Sequence, residues 1–318
     1  MQIISDLQGF LPDWQSCALT MGDFDGLHAG HRNLIEKTIE ESEKINIPSV
    51  ILTYDPSPKK ILQKLRFDTQ IYTREEKTIL LQDFFLRAAV FLPFNQEIAL
   101  MPADKFLNEI ILTSLKTKYL IIGYDHHFGK NREGNFQFLT KAAKENFFSV
   151  KKVEPVYIGD TLVSSSEIRR LLNEGNIEKA NILLTAPYLI IASVIRGRQR
   201  GQKFGIPTAN LHIVPEKLLP KEGVYFGAAV YGKNFYKTVI NIGFKPTFEN
   251  VDLTVEAHLL NFNEKIYGKI LRVYFLKRIR DEIKFANIDA LKHQIEKDIQ
   301  TAQKIDIPKY MLKKIIFE

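Results

Sequence analysis

One cysteine, one tryptophan and four methionines in 318 residues leave this chain little soft or redox-active chemistry. Cys17 has no partner for an internal disulfide and no second thiol with which to chelate a metal. Long hydrophobic runs are also missing. No apolar stretch approaches the length that a membrane span needs, and the start, MQIISDLQGFLPDW, lacks the basic segment that opens a secretory signal. The expectation is a cytoplasmic protein. No low-complexity tract or internal repeat occurs, and neither the Gly-Lys phosphate loop nor the G-x-G-x-x-G dinucleotide fingerprint is present. Any nucleotide chemistry has to use other devices.

What is present is the composition of a globular protein, 45% hydrophobic and 25% charged. At 318 residues the chain exceeds a typical single core and fits two domains. Lysine and arginine total 44 against 37 aspartates and glutamates, a formal charge of +7. That excess favours anionic partners, whether nucleic acid, an acidic surface or phosphorylated small molecules, and does not choose among them.

From residue 16 to about 157, short apolar runs (SCALTMG, SVILTY, AAVFLPF, KYLIIG, FSVKKVEPV) alternate with amphipathic stretches such as Leu34 to Ile45. Strands separated by helices predict a parallel α/β sheet. Helical patterns follow Ser164 and cover Ile177 to Leu184, ending at Ala186-Pro187. The boundary is placed there, giving domains 1–184 and 185–318. Beyond it GVYFGAAVY, FYKTVINIGF, LTVEAHLLNF and KILRVYFL are closely spaced and mostly period-two, which predicts an antiparallel barrel or sandwich. A last helix over about 288–302 carries Leu291, Ile295 and Ile299 on one face, suited to packing outside a barrel.

Two segments in the first half carry chemistry. Gly22-Asp23-Phe24-Asp25-Gly26-Leu27-His28-Ala29-Gly30-His31 joins a strand to a helix, and ligands of open α/β sheets sit at such places, with phosphate at the helix start. Gly30 lets the backbone come close, and imidazole N–H groups stabilise charge on a transferring phosphate. The plain alternative is a surface loop with two solvated histidines. Ser164-Ser165-Ser166-Glu167-Ile168-Arg169 opens a later helix with hydroxyls, free N–H groups and an arginine, a second anion clamp, or else an ordinary serine cap with a solvated arginine. In the second half, Gly197, Gly201 and Gly205 punctuate the basic run Arg196 to Lys203, followed by Pro207-Thr208-Ala209-Asn210. Glycines let the backbone wrap a ligand while basic groups supply a positive field. Read alone, such a loop is more often a nucleic-acid contact or a solvated turn than a catalytic element.

Taken in order, GDFDGLHAGH and SSSEIR resemble the HxGH nucleotidyltransferase superfamily. With LTYDPSP at 52–58, GYDHHFG at 123–129 and the whole C-terminal half, the chain resembles the bacterial bifunctional riboflavin kinase/FMN adenylyltransferase family. The resemblance implies an α/β Rossmann-like nucleotidyltransferase domain followed by an antiparallel β-barrel riboflavin kinase domain with a C-terminal helix. It implies that ATP phosphorylates riboflavin to FMN in the second domain and adenylylates FMN to FAD in the first, with Mg2+ as cofactor. By the same resemblance His28, His31, Ser165, Ser166 and Arg169, with Gly22, Asp25 and Gly26, surround the ATP phosphates, and Asp125, Pro56 and Pro58 lie towards the flavin. PTAN places Thr208 and Asn210 at magnesium, and Glu256 is the general base. The segments Gly223-Val224-Tyr225, Asn241-Ile242-Gly243 and Pro246-Thr247 fall at barrel turns, and Arg280, in RDEIKF, helps to close the flavin and nucleotide pocket. The chain departs from the family's usual residues at Asp23, Ser57, His126 and Glu167, which bear on flavin affinity, and at Arg196 and Gln202, which bear on phosphate contacts.

Two rivals remain at this level. One is an enzyme with a single one of the two activities. The other is a nucleic-acid-binding protein that uses the basic run, against which stand the interleaved glycines and the lack of an aromatic stacking motif. The expected partners are small molecules, with no nucleic acid and no membrane, acting on a monomer or weak homo-oligomer.

Overall fold

The structure, a computed structural model, describes residues 1–64, 69–197, 206–246 and 251–316. Its contacts divide the chain into two compact units, residues 1–70 with 77–164 and residues 71–76 with 165–318.

The first unit is built on a six-stranded parallel sheet of β1 (Gln2–Ile4), β2 (Cys17–Met21), β3 (Ser49–Tyr54), β4 (Ala88–Leu92), β5 (Thr117–Gly123) and β6 (Ser149–Val153), in the order β1-β4-β3-β2-β5-β6. Every residue of β2, β3 and β4 is buried, as strands covered on both faces must be, which is why their sequences read as continuous apolar runs. β1 has only Ile4 buried and is too short to announce itself in the sequence. Helix α1 (Ala29–Lys44) packs on β2 and β5. Further helices are α2 (Pro58–Leu62), α3 (Arg74–Leu81), α4 (Gln96–Leu100), α5 (Ala103–Lys105), which runs on into a π-helical stretch, and α6 (Phe136–Asn146). A small hairpin, β7 (Tyr157–Ile158) with β8 (Thr161–Leu162), ends this unit.

The second unit is a closed six-stranded antiparallel barrel of β9 (Tyr188–Ile195), β10 (Ala209–Leu211), β11 (Gly223–Tyr231), β12 (Asn234–Pro246), β13 (Val251–Leu259) and β14 (Ile270–Arg280), ordered β10-β13-β12-β11-β14-β9. Alternation along the strands fills its interior: Ile240 and Ile242 of β12, and Val255 and Ala257 of β13, are fully buried, while Asn241, Thr254, Glu256 and His258 between them are not. Gly223-Val224-Tyr225 and Asn241-Ile242-Gly243 therefore lie within strands rather than at the barrel turns that the sequence suggested, because their apolar members pair and bury as strand residues do. Thr247 lies outside the described residues.

Helices α7 (Ser165–Asn173) and α8 (Ile177–Leu184) cluster with this second unit, although the sequence reading places them before the boundary. Asn181 of α8 gives the reason. Its Nδ2 donates to Phe275 O at 2.8 Å and its Oδ1 accepts from Tyr188 N–H at 2.8 Å, tying the helix to β14 and β9. Helix α9 (Ile288–Lys304) covers β12 with Leu291, Ile295 and Ile299 half-buried, on the face expected for it, and α10 (Lys309–Ile316) touches β11.

The segment Ile71–Glu76 interrupts the first unit in sequence yet belongs to the second, where Glu76 meets Lys217 in an ion pair of 2.6 Å whose side chains are 1% and 2% exposed. Such a pair is stable only if every polar atom is satisfied. The Lys217 Nζ also donates to Ile71 O and Leu189 O, both at 2.7 Å, and Glu76 Oε1 accepts from Ile191 N–H at 2.9 Å.

Candidate active sites

In the first unit the strand order reverses between β2 and β5, and the loops that follow β3, β2 and β5 emerge side by side at the carboxyl ends of adjacent parallel strands. This is where an open α/β sheet binds ligands. The loop after β2 holds Gly22, Asp25, Gly26 and His28, the loop after β3 holds Pro56, Ser57 and Pro58, and the loop after β5 holds Asp125. Two non-glycine residues of the β2 loop, Phe24 and Leu27, have positive φ, a cost that concentrates at functional loops. Two donors hold the loop in place. The Thr53 hydroxyl and the buried Lys77 ammonium both donate to Asp23 O, at 2.9 and 3.2 Å. Lys77 carries no motif signal, because its role depends on where α3 packs.

His28 caps α1, its Nδ1 accepting the His31 N–H at 3.3 Å. The neutral ring must then carry its proton on Nε2, leaving an N–H donor. The His31 ring stacks on it, centroids 3.6 Å apart and planes inclined by 15°. Burial pushes His28 down to about 4, and burial, the His28 ring and Lys77 together hold His31 well below the usual histidine range. Both rings are thus neutral donors at pH 7. His31 Nδ1 is buried without a hydrogen bond among the described residues. Gly30 permits the stacking: a Cβ there would lie 3.2 Å from His28 Cε1.

On the barrel, strand register assembles the second site. Glu256 of β13 lies directly opposite Asn210 of β10 on one side and Asn241 of β12 on the other. Directly opposed residues share a face, and here it is the face away from the apolar interior. The Thr208 hydroxyl donates to Glu256 Oε2 at 3.0 Å. A cavity of about 300 Å³ opens beside them, lined by Gly197, Thr208, Asn210, Lys265 and Tyr267 among others. That is the lower end of the range for small-molecule sites. Gly197 gives Asn210 its space, since a Cβ there would overlap the Asn210 amide.

Comparison with known proteins covers both halves of the chain. The FAD synthetase family model matches residues 11–167 and the riboflavin kinase family model matches residues 184–306. A bifunctional riboflavin kinase/FMN adenylyltransferase of Haemophilus influenzae is 32% identical over 304 residues, covering 95% of this chain and 98% of its own. That of Escherichia coli K12 is 32% identical over 290 residues, 91% of this chain and 92% of its own. The chain belongs to the bifunctional riboflavin kinase/FMN adenylyltransferase family. A solved structure of a protein described as a macrolide-efflux protein from Streptococcus pneumoniae also matches, with a TM-score of 0.84 and 28% identity over 96% of this chain and 99% of its own.

The chain is accordingly a transferase with a FAD synthetase half and a riboflavin kinase half, acting on ATP, riboflavin and FMN. Among the described residues no helix is long and apolar enough to cross a membrane. Two departures from the bifunctional family's usual residues touch each other: the buried Ser57 hydroxyl donates to Asp23 Oδ2 at 3.3 Å and accepts from Lys59 N–H, also at 3.3 Å. A third, His126, is held down to about 4 by burial and stacks on Phe128 with ring centroids 6.0 Å apart. Glu167 pairs with Arg170 at 2.6 Å on α7, and Arg196 lies 5.9 Å from the Tyr267 ring. Ser165, Ser166 and Arg169 open the same helix α7. Gly201, Gly205 and Gln202 lie outside the described residues.

Arg280 ends β14 with its guanidinium clamped by the buried Asp298 of α9, Nε donating to Oδ1 at 3.0 Å and Nη2 to Oδ2 at 2.7 Å. The sequence marked Arg280 but not its partner, which lies 18 positions away on another element.

Proposed function

We propose that Glu256 is the general base of the kinase half. It takes the proton of the riboflavin 5′-hydroxyl as that oxygen bonds to the γ-phosphorus of ATP and the bond from phosphorus to the β-phosphate oxygen breaks, giving FMN and ADP. The observation that carries this reading is the 3.0 Å contact from Thr208 to Glu256 beside Asn210, which places a carboxylate against two hard-oxygen residues at the rim of a cavity.

Thr208 and Asn210 are the residues that would hold Mg2+. Their hydroxyl and amide oxygens suit an ion that keeps water and phosphate ligands. Among the described residues no three His, Cys, Asp or Glu side chains group so as to chelate a metal without a substrate. When bound, the ion neutralises charge on the phosphates. Gly197, with Gly201 and Gly205 on the strength of the motif alone, is assigned to the nucleotide phosphates.

In the adenylyltransferase half an FMN phosphate oxygen attacks the α-phosphorus of ATP in line, and the bond to the bridging oxygen breaks to release pyrophosphate, with no covalent enzyme intermediate. His28 and His31 act as neutral N–H donors to the phosphates, a reading supported by their stacking and depressed basicity. Gly22, Asp25, Gly26, Ser165, Ser166 and Arg169 complete the nucleotide set, on the strength of the motif. Pro56, Pro58 and Asp125 line the flavin side. Arg280 serves its flavin site through the turn that it anchors, since Asp298 engages its fork. The functional boundary falls between residues 184 and 185, and the enzyme works in the cytoplasm as a monomer or weak homo-oligomer.

The deciding experiment incubates the purified protein with riboflavin, magnesium and ATP, and separately with FMN, magnesium and ATP, and resolves the flavins chromatographically. FAD from both starting points is the expected result. FMN accumulating without FAD would overturn the assignment of the first half, and no turnover would overturn both.

A further inference from the structure

Lys77 and Lys217 are the buried lysines among the described residues, and their surroundings differ. Lys217 is paired with Glu76. Lys77 of α3, 1% exposed, makes one hydrogen bond, its Nζ donating to Asp23 O at 3.2 Å, and no carboxylate pairs with it among the described residues. Burying an ammonium without a counter-charge is costly, and a neutral donor would satisfy a carbonyl with a smaller penalty. Thr53 of β3 already supplies such a donor, its hydroxyl meeting the same oxygen at 2.9 Å. A second, charged donor on that oxygen is more than the stability of the loop requires.

The residue after Asp23 shows what the second donor can do. Phe24 takes a positive φ and is buried, with its ring against that of His31, centroids 5.2 Å apart and planes inclined by 58°. The turn that carries it is tight, since a Cβ at Gly22 would lie 3.3 Å from the Phe24 ring. His31 therefore touches two rings, His28 and Phe24. The first is set by the cap of α1, and the second by the turn whose carbonyl Lys77 holds. The charge of Lys77 also reaches His31, where it joins burial and the His28 ring in lowering the basicity of the imidazole.

We infer that Lys77 is a positioning residue of the adenylyl-transfer step: from α3 it pegs the Asp23-Phe24 turn, and through the Phe24 ring it holds the orientation in which His31 offers its N–H to the nucleotide phosphates. Its unbalanced charge adds to the positive field around that ring. The inference rests on the reading of His31 as a phosphate donor and adds the residue that aligns it.

The test is a double-variant cycle on FMN-to-FAD conversion by the full-length protein, with Lys77→Met and His31→Ala made singly and together. Methionine has nearly the length of lysine and removes both the donor and the charge. Alone, Lys77→Met should lower kcat roughly tenfold, the scale of a small misplacement near the reacting atoms. The KM values for ATP and FMN should stay within about twofold of wild type, because an interaction realised in the transition state is lost from kcat. In the His31→Ala background Lys77→Met should change kcat by less than about twofold, since a residue that acts through His31 then has nothing to align. Thr53→Val removes the other donor to Asp23 O at nearly constant shape. Its loss should be cancelled by His31→Ala in the same way, and it carries the test if Lys77→Met does not fold. Wild-type kcat in Lys77→Met overturns the inference, as does a loss from either variant that multiplies in full with that of His31→Ala. Undiminished FAD formation by His31→Ala alone would instead remove the reading of His31 beneath it.

Discussion

The imidazole rings of His28 and His31 lie face to face with centroids 3.6 Å apart, and Gly30 leaves the first ring only enough room to stay there. A methyl group at position 30 would lie 3.2 Å from His28 Cε1 and push the ring by a few tenths of an ångström. Alanine is otherwise favoured over glycine in a helix by about 1 kcal/mol, so Gly30→Ala separates geometry from stability. Conversion of FMN to FAD should fall by about tenfold or more, because misplacing a donor weakens charge stabilisation. The unfolding temperature should not fall. Full adenylyltransferase activity in the variant would show that the ring positions do not matter.

The same pair predicts a dependence of stability on pH. Burial lowers His28 from its ordinary 6.5 to about 4, and His31 shifts in the same direction. Between those values the unfolded chain binds more protons than the folded one. The contribution of His28 is therefore fully present above pH 6.5 and is lost as pH falls towards 4, on the order of 3 kcal/mol in all. Urea midpoints measured from pH 7.5 to 4.5 should decline more steeply for wild type than for His28→Asn. Parallel declines would mean that carboxylates elsewhere account for the effect.

Division of labour between the two sites is tested by two substitutions. Glu256→Gln should lower FMN formation by about 10²–10⁴-fold, the usual worth of a positioned base, and leave FMN-to-FAD conversion intact. His31→Ala should do the reverse, with a loss of about 10²–10³-fold in FAD formation. Flavin chromatography with each starting substrate reads both effects. Loss of both activities in a folded variant would contradict the assignment of one step to each half.

Lys217 donates its three protons to three acceptors, Ile71 O, Glu76 Oε2 and Leu189 O, and lies against the rings of Tyr72 and Tyr188 at 4.8 and 4.4 Å. Lys217→Met leaves the Glu76 carboxylate buried without its cation and should cost about 3–5 kcal/mol. Adding Glu76→Leu should recover much of that loss, since an apolar pair of similar volume is often neutral. Thermal unfolding of the single and double variants decides it. A double variant no more stable than Lys217→Met alone would mean that the pair's hydrogen bonds to Thr73 and Ile191, not its charge balance, hold the segment.

Amino-acid pattern alone determined the layered α/β sheet and an antiparallel barrel or sandwich, and the resemblance of the motifs to a known family chose the barrel. Continuous apolar runs such as SVILTY and period-two runs such as LTVEAHLLNF are local consequences of burial on two faces or on one. The HxGH and PTAN segments could be read because their chemistry is contiguous in the chain. Packing decided the rest. Neither the Lys77 contact that steadies the Asp23 loop nor the Asp298 clamp on Arg280 leaves a local trace, since each partner comes from a distant element. The neighbours of Glu256 depend on strand register. A slip of one residue in β12 would turn Asn241 into the barrel and bring an isoleucine out beside the carboxylate. Register is set by closing six strands around one apolar interior, a condition on the whole barrel that no single segment contains.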